Sequence, residues 1–169
     1  PNTFKEPQKK KIYQAELIKT DPKIDLALLK ILSAPRSLAF IPLSERAPEI
    51  GEEVHTIGHP FGEWGWTYSR GYISQIRDNQ EWEYDNSSHL ADVIQTGTDI
   101  SPGNSGGPML DDRAFLLGVN TFVDQTPGAQ GINFAVSSTA VKEFLEKPLV
   151  DTILPIAELT GSINFLGSE

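Results

Sequence analysis

The decisive stretch of this sequence is a glycine-rich segment that reads Asp99-Ile100-Ser101-Pro102-Gly103-Asn104-Ser105-Gly106-Gly107-Pro108. Three glycines lie within two residues of Ser105. Because glycine lets the backbone turn sharply, the segment can aim several amide N–H groups at one point while it exposes the serine hydroxyl. This arrangement suits acyl transfer. A glycine-rich surface turn without chemistry explains the same composition, since short Gly/Ser segments are common.

Short apolar runs bounded by turn residues lie on both sides of this segment. The predicted strands cover residues 13–17, 26–31, 54–57, 67–73, 92–96, 108–110, 115–122 and 132–136. Residues 138–147 instead show the apolar spacing of a helix, with Ser137 or Ser138 as the cap and Pro148 as the stop. Many short strands with frequent turns predict an all-β sandwich or barrel, followed by one C-terminal helix.

Composition excludes several classes of protein. The 169 residues carry 14 Lys and Arg against 23 Asp and Glu, a net charge of −9, with 38% apolar residues. These values are typical of a globular protein and predict no nucleic-acid partner, because phosphate binding needs clustered Lys and Arg. No apolar stretch approaches the roughly 18 residues that span a bilayer, so no membrane span is predicted. The chain has no cysteine and no metal-ligand or phosphate-loop spacing, so we expect no metal and no cofactor.

The chain also divides along its length. Three prolines between residues 34 and 48 mark an irregular connection, and we place a boundary near residue 42. The predicted parts are residues 1–42, residues 43–147 with the helix, and a packed or flexible tail at 148–169.

Four segments carry a resemblance to a known family. Residues 103–108 resemble the nucleophile loop of trypsin-like serine proteases of the HtrA/Deg-like branch, whose pattern is Gln-Thr-Asp-Ala-x-Ile-x-Pro-Gly-Asn-Ser-Gly-Gly-Pro. This chain departs from that pattern at Gly97 and Thr98. Residues 21–31 are similar to the family's segment around the triad aspartate, residues 58–62 to its Gly-Asn-Pro-Phe-Gly, and residues 131–136 to the strand before its C-terminal helix. The four motifs occur in the family's order, and the resemblance covers about residues 11–147.

The resemblance implies a fold and an activity. The fold would be a chymotrypsin-like double β-barrel, with residues 1–42 as the final strands of an incomplete first barrel and residues 43–147 as the second barrel plus helix. The activity would be that of a serine endopeptidase that hydrolyses protein or peptide substrates through an acyl-enzyme, without a cofactor. A homo-oligomer and an extracytoplasmic location, periplasmic or secreted, are further traits that the family suggests.

Carried over residue by residue, the resemblance makes Ser105 the nucleophile and Asp25 the residue that orients the base. The backbone N–H groups of Gly103 and Ser105 would form the oxyanion hole. Ile100 would line the primary specificity pocket, and we expect cleavage after aliphatic residues. Asp99, six residues before Ser105, has the spacing of the acid in enzymes selective for basic side chains; a surface carboxylate is the alternative.

The catalytic histidine has no counterpart ahead of Asp25. The resemblance places the histidine-bearing segment, similar to Thr-Asn-x-His-Val-Val, upstream of Pro1. The histidines present are His55 in a predicted strand, His59 in a Gly-Pro turn and His89 in a polar loop at 85–90, and each is predicted to be structural or solvated. We therefore expect a truncated form that is inactive alone. The alternative is a noncatalytic peptide-binding module, either a pseudoprotease or an autolytic fragment. The intact Ser105, Gly103 and Asp25 argue against a long-standing loss of catalysis, since a pure binder would not need the nucleophile.

Two further segments alternate aromatic and acidic residues, at residues 63–68 and 81–85. The second lies in the region that resembles the family's activation loop. Such aromatics are more often satellite packing than ligand contacts, so we expect packing.

Overall fold

The computed structural model of this chain describes residues 11–60, 66–84, 86–124, 131–148 and 163–165. Within these ranges the strands are β1 (Lys11–Tyr13), β2 (Ala15–Asp21), β3 (Leu26–Ile31), β4 (Glu53–Gly58), β5 (Thr67–Tyr84), β6 (Ser87–Thr96), β7 (Pro108–Leu110), β8 (Leu116–Val123), β9 (Asn133–Ser137) and β10 (Ile163–Phe165). One helix, α1 (Ser138–Glu146), follows β9. The predicted all-β class with a single C-terminal helix is confirmed. No helix among the described residues has the length and apolar character that crossing a bilayer requires.

The chain divides into two compact units. The first comprises Pro1–Thr20, Ala27–Ala39 and Leu149–Glu169, where β1 pairs with β10 and β2 pairs with β3. The second comprises Asp21–Leu26 and Phe40–Pro148. The short connection that carries Asp25 thus belongs to the second unit, although both strands that flank it pair in the first. The boundary predicted near residue 42 stays a prediction.

The second unit is built on a six-stranded barrel. Its strands pair in the order β4-β5-β6-β9-β8-β7, and β7 pairs back onto β4. In β4 the residues Val54, Thr56 and Gly58 are buried while their neighbours are more exposed, as expected for alternating faces of a strand. The core cluster inside the barrel consists of Val54, Ile73, Ile94, Met109, Leu117 and Ala135.

A second apolar cluster lies on the opposite face of β6 and β9, against helix α1. Its buried members are Trp82, Ala91, Val93, Phe134, Val136 and Ala140, with Ile24, Leu26, Phe122 and Ile132 packed around them. The Ser137 side chain caps the helix by accepting a hydrogen bond from the Ala140 N–H at 3.2 Å. Pro148 follows the last turn, as predicted, because proline cannot continue a helix.

Strands β5 and β6 extend well beyond their predicted limits and form a two-stranded hairpin arm, defined here as residues 80–84 and 87–91. Trp82 pairs across the arm with His89, and their rings stack with centroids 5.1 Å apart. The polar loop predicted at residues 85–90 is therefore wrong for residues 87–90, while Asp85 lies outside the described residues. Glu81 and Glu83, which alternate with the aromatic residues, face solvent. The arm therefore has too few apolar residues for its sequence pattern to predict a strand. The predicted packing role is confirmed for Trp82 and is wrong for Tyr84, which is 65% exposed.

A buried carboxylate holds the turn between β7 and β8. Asp111, whose side chain is 2% exposed, accepts hydrogen bonds from the backbone N–H groups of Phe115 at 2.8 Å and Arg113 at 2.9 Å. The guanidinium groups of Arg46 and Arg113 approach its other oxygen at 3.2 and 3.3 Å. Burial raises the pKa of this carboxyl, but the two backbone donors and the two arginines outweigh burial, so the pKa of Asp111 lies below its ordinary value.

We expect Asp111→Asn to lower the free energy of unfolding by about 1 to 3 kcal/mol at pH 7, because an amide nitrogen then faces the arginines. A carboxyl whose pKa is lower in the folded state stabilises the fold above its unfolded pKa of about 3.9, and that stabilisation is lost as the pH falls through the folded pKa. The difference in unfolding free energy between the wild type and Asp111→Asn should therefore shrink between pH 5 and pH 3. Urea unfolding at both pH values measures it. Asp78→Asn, at an exposed position, is the control. A deficit that is equal at pH 7 and pH 3 would show that the charge of Asp111 is not its cause.

Candidate active site

The loop between β6 and β7, residues 97–107, presents Ser105 at the surface. The Asn104 N–H donates to the Ser101 carbonyl at 2.9 Å, and the Gly107 N–H donates to the Asn104 carbonyl at 2.9 Å. These bonds fold the loop into successive tight turns. Gly103 has φ 100°, a left-handed conformation that favours glycine. The backbone thus turns sharply just before the exposed serine.

The same loop is fixed to strand β8 and to the residue that follows β4. The Gly106 N–H donates to the Asn120 carbonyl in β8 at 2.8 Å, and the His59 N–H donates to the Gly103 carbonyl at 3.3 Å. A Cβ at Gly58 would lie 2.0 Å from Asn104 Oδ1, so only glycine admits the buried Asn104 side chain here. Two motifs that are far apart in the sequence, at residues 58–60 and 103–108, therefore fit directly against each other. Phe61 and Gly62 lie outside the described residues.

Ser105 and Asp25 meet at one residue, Thr121 of β8. The Ser105 hydroxyl donates to the Thr121 carbonyl oxygen at 2.8 Å. The Thr121 hydroxyl donates to Asp25 Oδ2 at 2.6 Å. The structure thus brings together, within one unit, the predicted nucleophile and the predicted carboxylate, which are 80 positions apart in the sequence.

Sequence reasoning missed Thr121. It lies in an ordinary strand, and its role arises only because β8 passes both the serine loop and the Asp25 connection, 96 positions away. No spacing or composition signal in the sequence singles it out.

Two backbone N–H groups near Ser105 are unpaired among the described residues. In residues 11–60, 66–84, 86–124 and 131–148, the N–H groups of Gly103 and Ser105 donate to no acceptor. The N–H of Asn104, between them, is already used inside the loop. Unpaired amides beside an exposed hydroxyl can stabilise a developing negative charge.

The two candidate specificity residues have different environments. Ile100 is 8% exposed, whereas Asp99 is exposed to solvent. The strand end that leads to them is fixed because Asn133 Nδ2 donates to the Thr98 carbonyl at 2.7 Å. An exposed carboxylate is easily hydrated, so the apolar side chain is the better candidate for a pocket wall.

The three histidines are engaged elsewhere. His55 contacts the Tyr68 hydroxyl through Nδ1 at 2.7 Å and Asp112 Oδ1 through Nε2 at 2.8 Å. His89 is buried and donates through Nδ1 to the Pro22 carbonyl at 2.7 Å. The ring of His59 lies edge-on to Trp66, with centroids 5.8 Å apart. None of these rings makes a hydrogen bond to Ser105 or Asp25 in the described part of the chain.

Within the described ranges, no group of three or more His, Cys, Asp or Glu is arranged to hold a metal ion. In the segment at residues 63–68, Trp66 is 48% and Tyr68 58% exposed, so the predicted packing role is not confirmed for them, while Trp64 lies outside the described residues.

Comparison with known proteins identifies the class of protein that this fold and loop define. The family model of the trypsin-like peptidase domain matches residues 3–119. A probable periplasmic serine endoprotease, DegP-like, from Rickettsia prowazekii is 36% identical over 159 residues, which cover 93% of this chain and 30% of that protein. The chain therefore spans about a third of the length of this curated relative.

Solved structures agree with that result. The serine endoprotease from Yersinia pestis superposes with a TM-score of 0.65 at 31% identity, over 80% of this chain and 44% of the other. A protease from M. tuberculosis in its active form superposes with a TM-score of 0.70 at 22% identity, over 79% of this chain and 57% of the other, and shows the shared fold. The chain belongs to the trypsin-like peptidase family, in its HtrA/DegP-like branch. The resemblance derived from the four sequence motifs is confirmed.

Proposed function

We propose that this chain supplies the nucleophile, the carboxylate that orients the base, and the oxyanion site of a serine endopeptidase. The observation that carries the proposal is the convergence of Ser105 and Asp25 on Thr121. In the reaction, Ser105 Oγ attacks the scissile carbonyl carbon while a histidine takes its proton, and the carbonyl oxygen becomes an oxyanion at the Gly103 and Ser105 N–H groups. The histidine then protonates the leaving amine, and water hydrolyses the acyl-enzyme. Asp25 would orient the imidazole and stabilise its charged form.

We infer that the imidazole comes from a segment outside these 169 residues. The rings of His55 and His89 are held by hydrogen bonds on other surfaces. Ser105 already donates to a carbonyl oxygen, which accepts a hydrogen bond but cannot act as a base. A rotation about its Cα–Cβ bond would turn the hydroxyl toward an incoming ring.

The free edge of β8 offers a place for the substrate. Among the described residues, β7 pairs with β8 no further than Val119, so residues 121–123 have an open edge next to Ser105. A peptide in extended conformation can add to such an edge through main-chain hydrogen bonds. Protein or peptide substrates therefore fit the site. Because the curated relatives are named periplasmic endoproteases, we also propose an extracytoplasmic location. A homo-oligomer stays a prediction.

The 169-residue chain alone is expected to show no measurable cleavage of casein, because an unassisted serine hydroxyl is a weak nucleophile at neutral pH. The full-length protein should cleave casein and react with a fluorophosphonate probe at Ser105. Robust cleavage by the short chain that His59→Ala abolishes would place the base within this sequence. A full-length protein that binds casein peptides at the β8 edge without cleaving them would establish the noncatalytic alternative.

Cleavage after small or medium aliphatic residues is expected from the full-length protein, because a pocket walled by Ile100 gains about 0.8 kcal/mol for each methylene that it desolvates. Sequencing the products of a peptide library measures this preference. Asp99→Ala should leave the profile unchanged, whereas Ile100→Ala should broaden it toward larger side chains. Dominant cuts after Arg or Lys that disappear in Asp99→Ala would contradict the prediction and assign the pocket floor to Asp99.

A further inference from the structure

We propose that the hairpin arm fixes the position of the Asp25 carboxylate, and that His89 is a positioning residue for Asp25. The arm holds the turn at residues 21–25, which runs from the end of β2 to Asp25. The proposal rests on the proposed function, because it assigns a role to His89 only if Asp25 orients a catalytic base.

Two hydrogen bonds join the arm to the turn. His89 Nδ1 lies 2.7 Å from the Pro22 carbonyl oxygen, and the Leu90 N–H donates to the Lys23 carbonyl at 2.7 Å. Because a carbonyl oxygen can only accept, the imidazole carries a proton on Nδ1 in this contact. The two acceptors precede Asp25 by three and two residues. The arm therefore holds the backbone immediately before the carboxylate.

The turn needs such support because its own conformation is unfavourable. Asp25 has φ 57°, a left-handed conformation that costs a non-glycine residue roughly 1 kcal/mol. Within the turn, the Ile24 N–H donates to the Asp21 carbonyl only at 3.2 Å, and Lys147 pairs with Asp21 at 3.2 Å on an exposed surface. Exposed ion pairs contribute little. A strained residue keeps its conformation only where the surrounding structure determines it.

Packing supports the end of the turn, where Ile24 and Leu26 lie against the second apolar cluster, which contains Trp82. A cavity of about 190 Å³ borders the same turn and is lined by residues that include Lys23, Asn79 and Asp92. Atoms that border such a space have fewer van der Waals neighbours, so the two hydrogen bonds from the arm carry more of the positioning.

The arm also reaches the other partner of Asp25. The Trp82 ring stacks on His89 with centroids 5.1 Å apart and on Phe122 with centroids 4.6 Å apart. Phe122 directly follows Thr121, whose hydroxyl donates to Asp25. The stacked rings of His89, Trp82 and Phe122 thus connect the turn to strand β8. The arm therefore supports both the backbone before Asp25 and the strand whose Thr121 binds its carboxylate.

A pair of substitutions at position 89 separates the hydrogen bond from the packing. His89→Phe keeps a ring on Trp82 but removes the donor, and His89→Asn keeps an amide donor near the place of Nδ1 but removes the ring. In the full-length protein we expect His89→Phe to lower kcat about tenfold with KM unchanged, since small displacements of catalytic groups cost one to two powers of ten. His89→Asn should retain activity within about threefold. Glu83→Gln, exposed on the same arm, is the control.

The pH dependence of kcat/KM separates a displaced carboxylate from a loss of folded protein. A displaced carboxylate stabilises the imidazolium less, so the acidic limb of kcat/KM should move to lower pH in His89→Phe, whereas partial unfolding would lower the amplitude alone. Equal losses in His89→Phe and His89→Asn, or an unshifted limb, would overturn the role of the donor.

Hydrogen exchange tests the contact without any assay of activity. In His89→Phe the amides of Ile24 and Leu90 should exchange at least several times faster, while the amide of Gly118 in β8 stays unchanged. If Ser105→Ala leaves hydrolysis intact, the proposed function fails, but the exchange rates still decide whether His89 holds the turn. Unchanged exchange at Ile24 would overturn the proposal.

Discussion

Replacing Ser105 by alanine in the full-length protein is expected to lower kcat on the order of 10⁶-fold, with the substrate affinity nearly unchanged. The loop is held by backbone hydrogen bonds to Asn120 and by the fit of Asn104 against Gly58, and alanine at position 105 disturbs none of them. The variant therefore removes the attacking oxygen and little else. Initial rates on a fluorogenic peptide, with binding of the same peptide measured separately, give both quantities. Ser88→Ala, an exposed serine on the hairpin arm, is the control, and a Ser105→Ala enzyme that keeps even one per cent of kcat would assign the nucleophile elsewhere.

Asp25→Asn should lower kcat on the order of 10⁴-fold, the loss typical of an asparagine that fixes the wrong imidazole tautomer. The amide has the size of the carboxylate, and its oxygen can still accept from the Thr121 hydroxyl, so the fold of the turn should persist. Circular dichroism and the unfolding midpoint verify this for each variant.

Asp21→Asn provides the comparison for that variant, because Asp21 is the other carboxylate of the same turn and pairs with Lys147. Its loss should be far smaller than the loss in Asp25→Asn. The reverse ranking of the two variants would show that Asp21 is the carboxylate that orients the base.

The parts of the fold that the sequence predicts are those with local signals. Alternating apolar residues and turn residues locate the barrel strands, and the spacing of Val141, Phe144 and Leu145 locates the helix. The glycine loop around Ser105 is recognisable because its glycines meet local backbone requirements: Gly103 and Gly106 have left-handed φ values, and a Cβ at Gly107 would lie 2.5 Å from the Ile57 carbonyl oxygen. Such signals involve neighbours in the chain, so one sequence suffices to detect them.

The features that the sequence does not predict arise from contacts between distant segments. Asp78 and Asn79 lie in the middle of β5, just before the hairpin arm, and such residues disfavour a strand by composition. The arm forms nevertheless, because Trp82 and His89 pair across it with stacked rings, and Trp82 is buried in the second apolar cluster. Thr121 joins Ser105 to Asp25 only after the barrel has closed.

The assignment of the Asp25 connection to the barrel unit has a consequence for protein engineering. Both side chains proposed for catalysis in this chain reside in one compact unit, where Thr121 contacts each of them. In the proposed mechanism, the reactive group to be added to them is one imidazole. On that mechanism, a histidine-bearing segment delivered from a separate molecule would switch on a split protease. Fusing that segment and this chain to two interacting proteins would convert their association into substrate turnover, with the segment's affinity setting the threshold of the sensor.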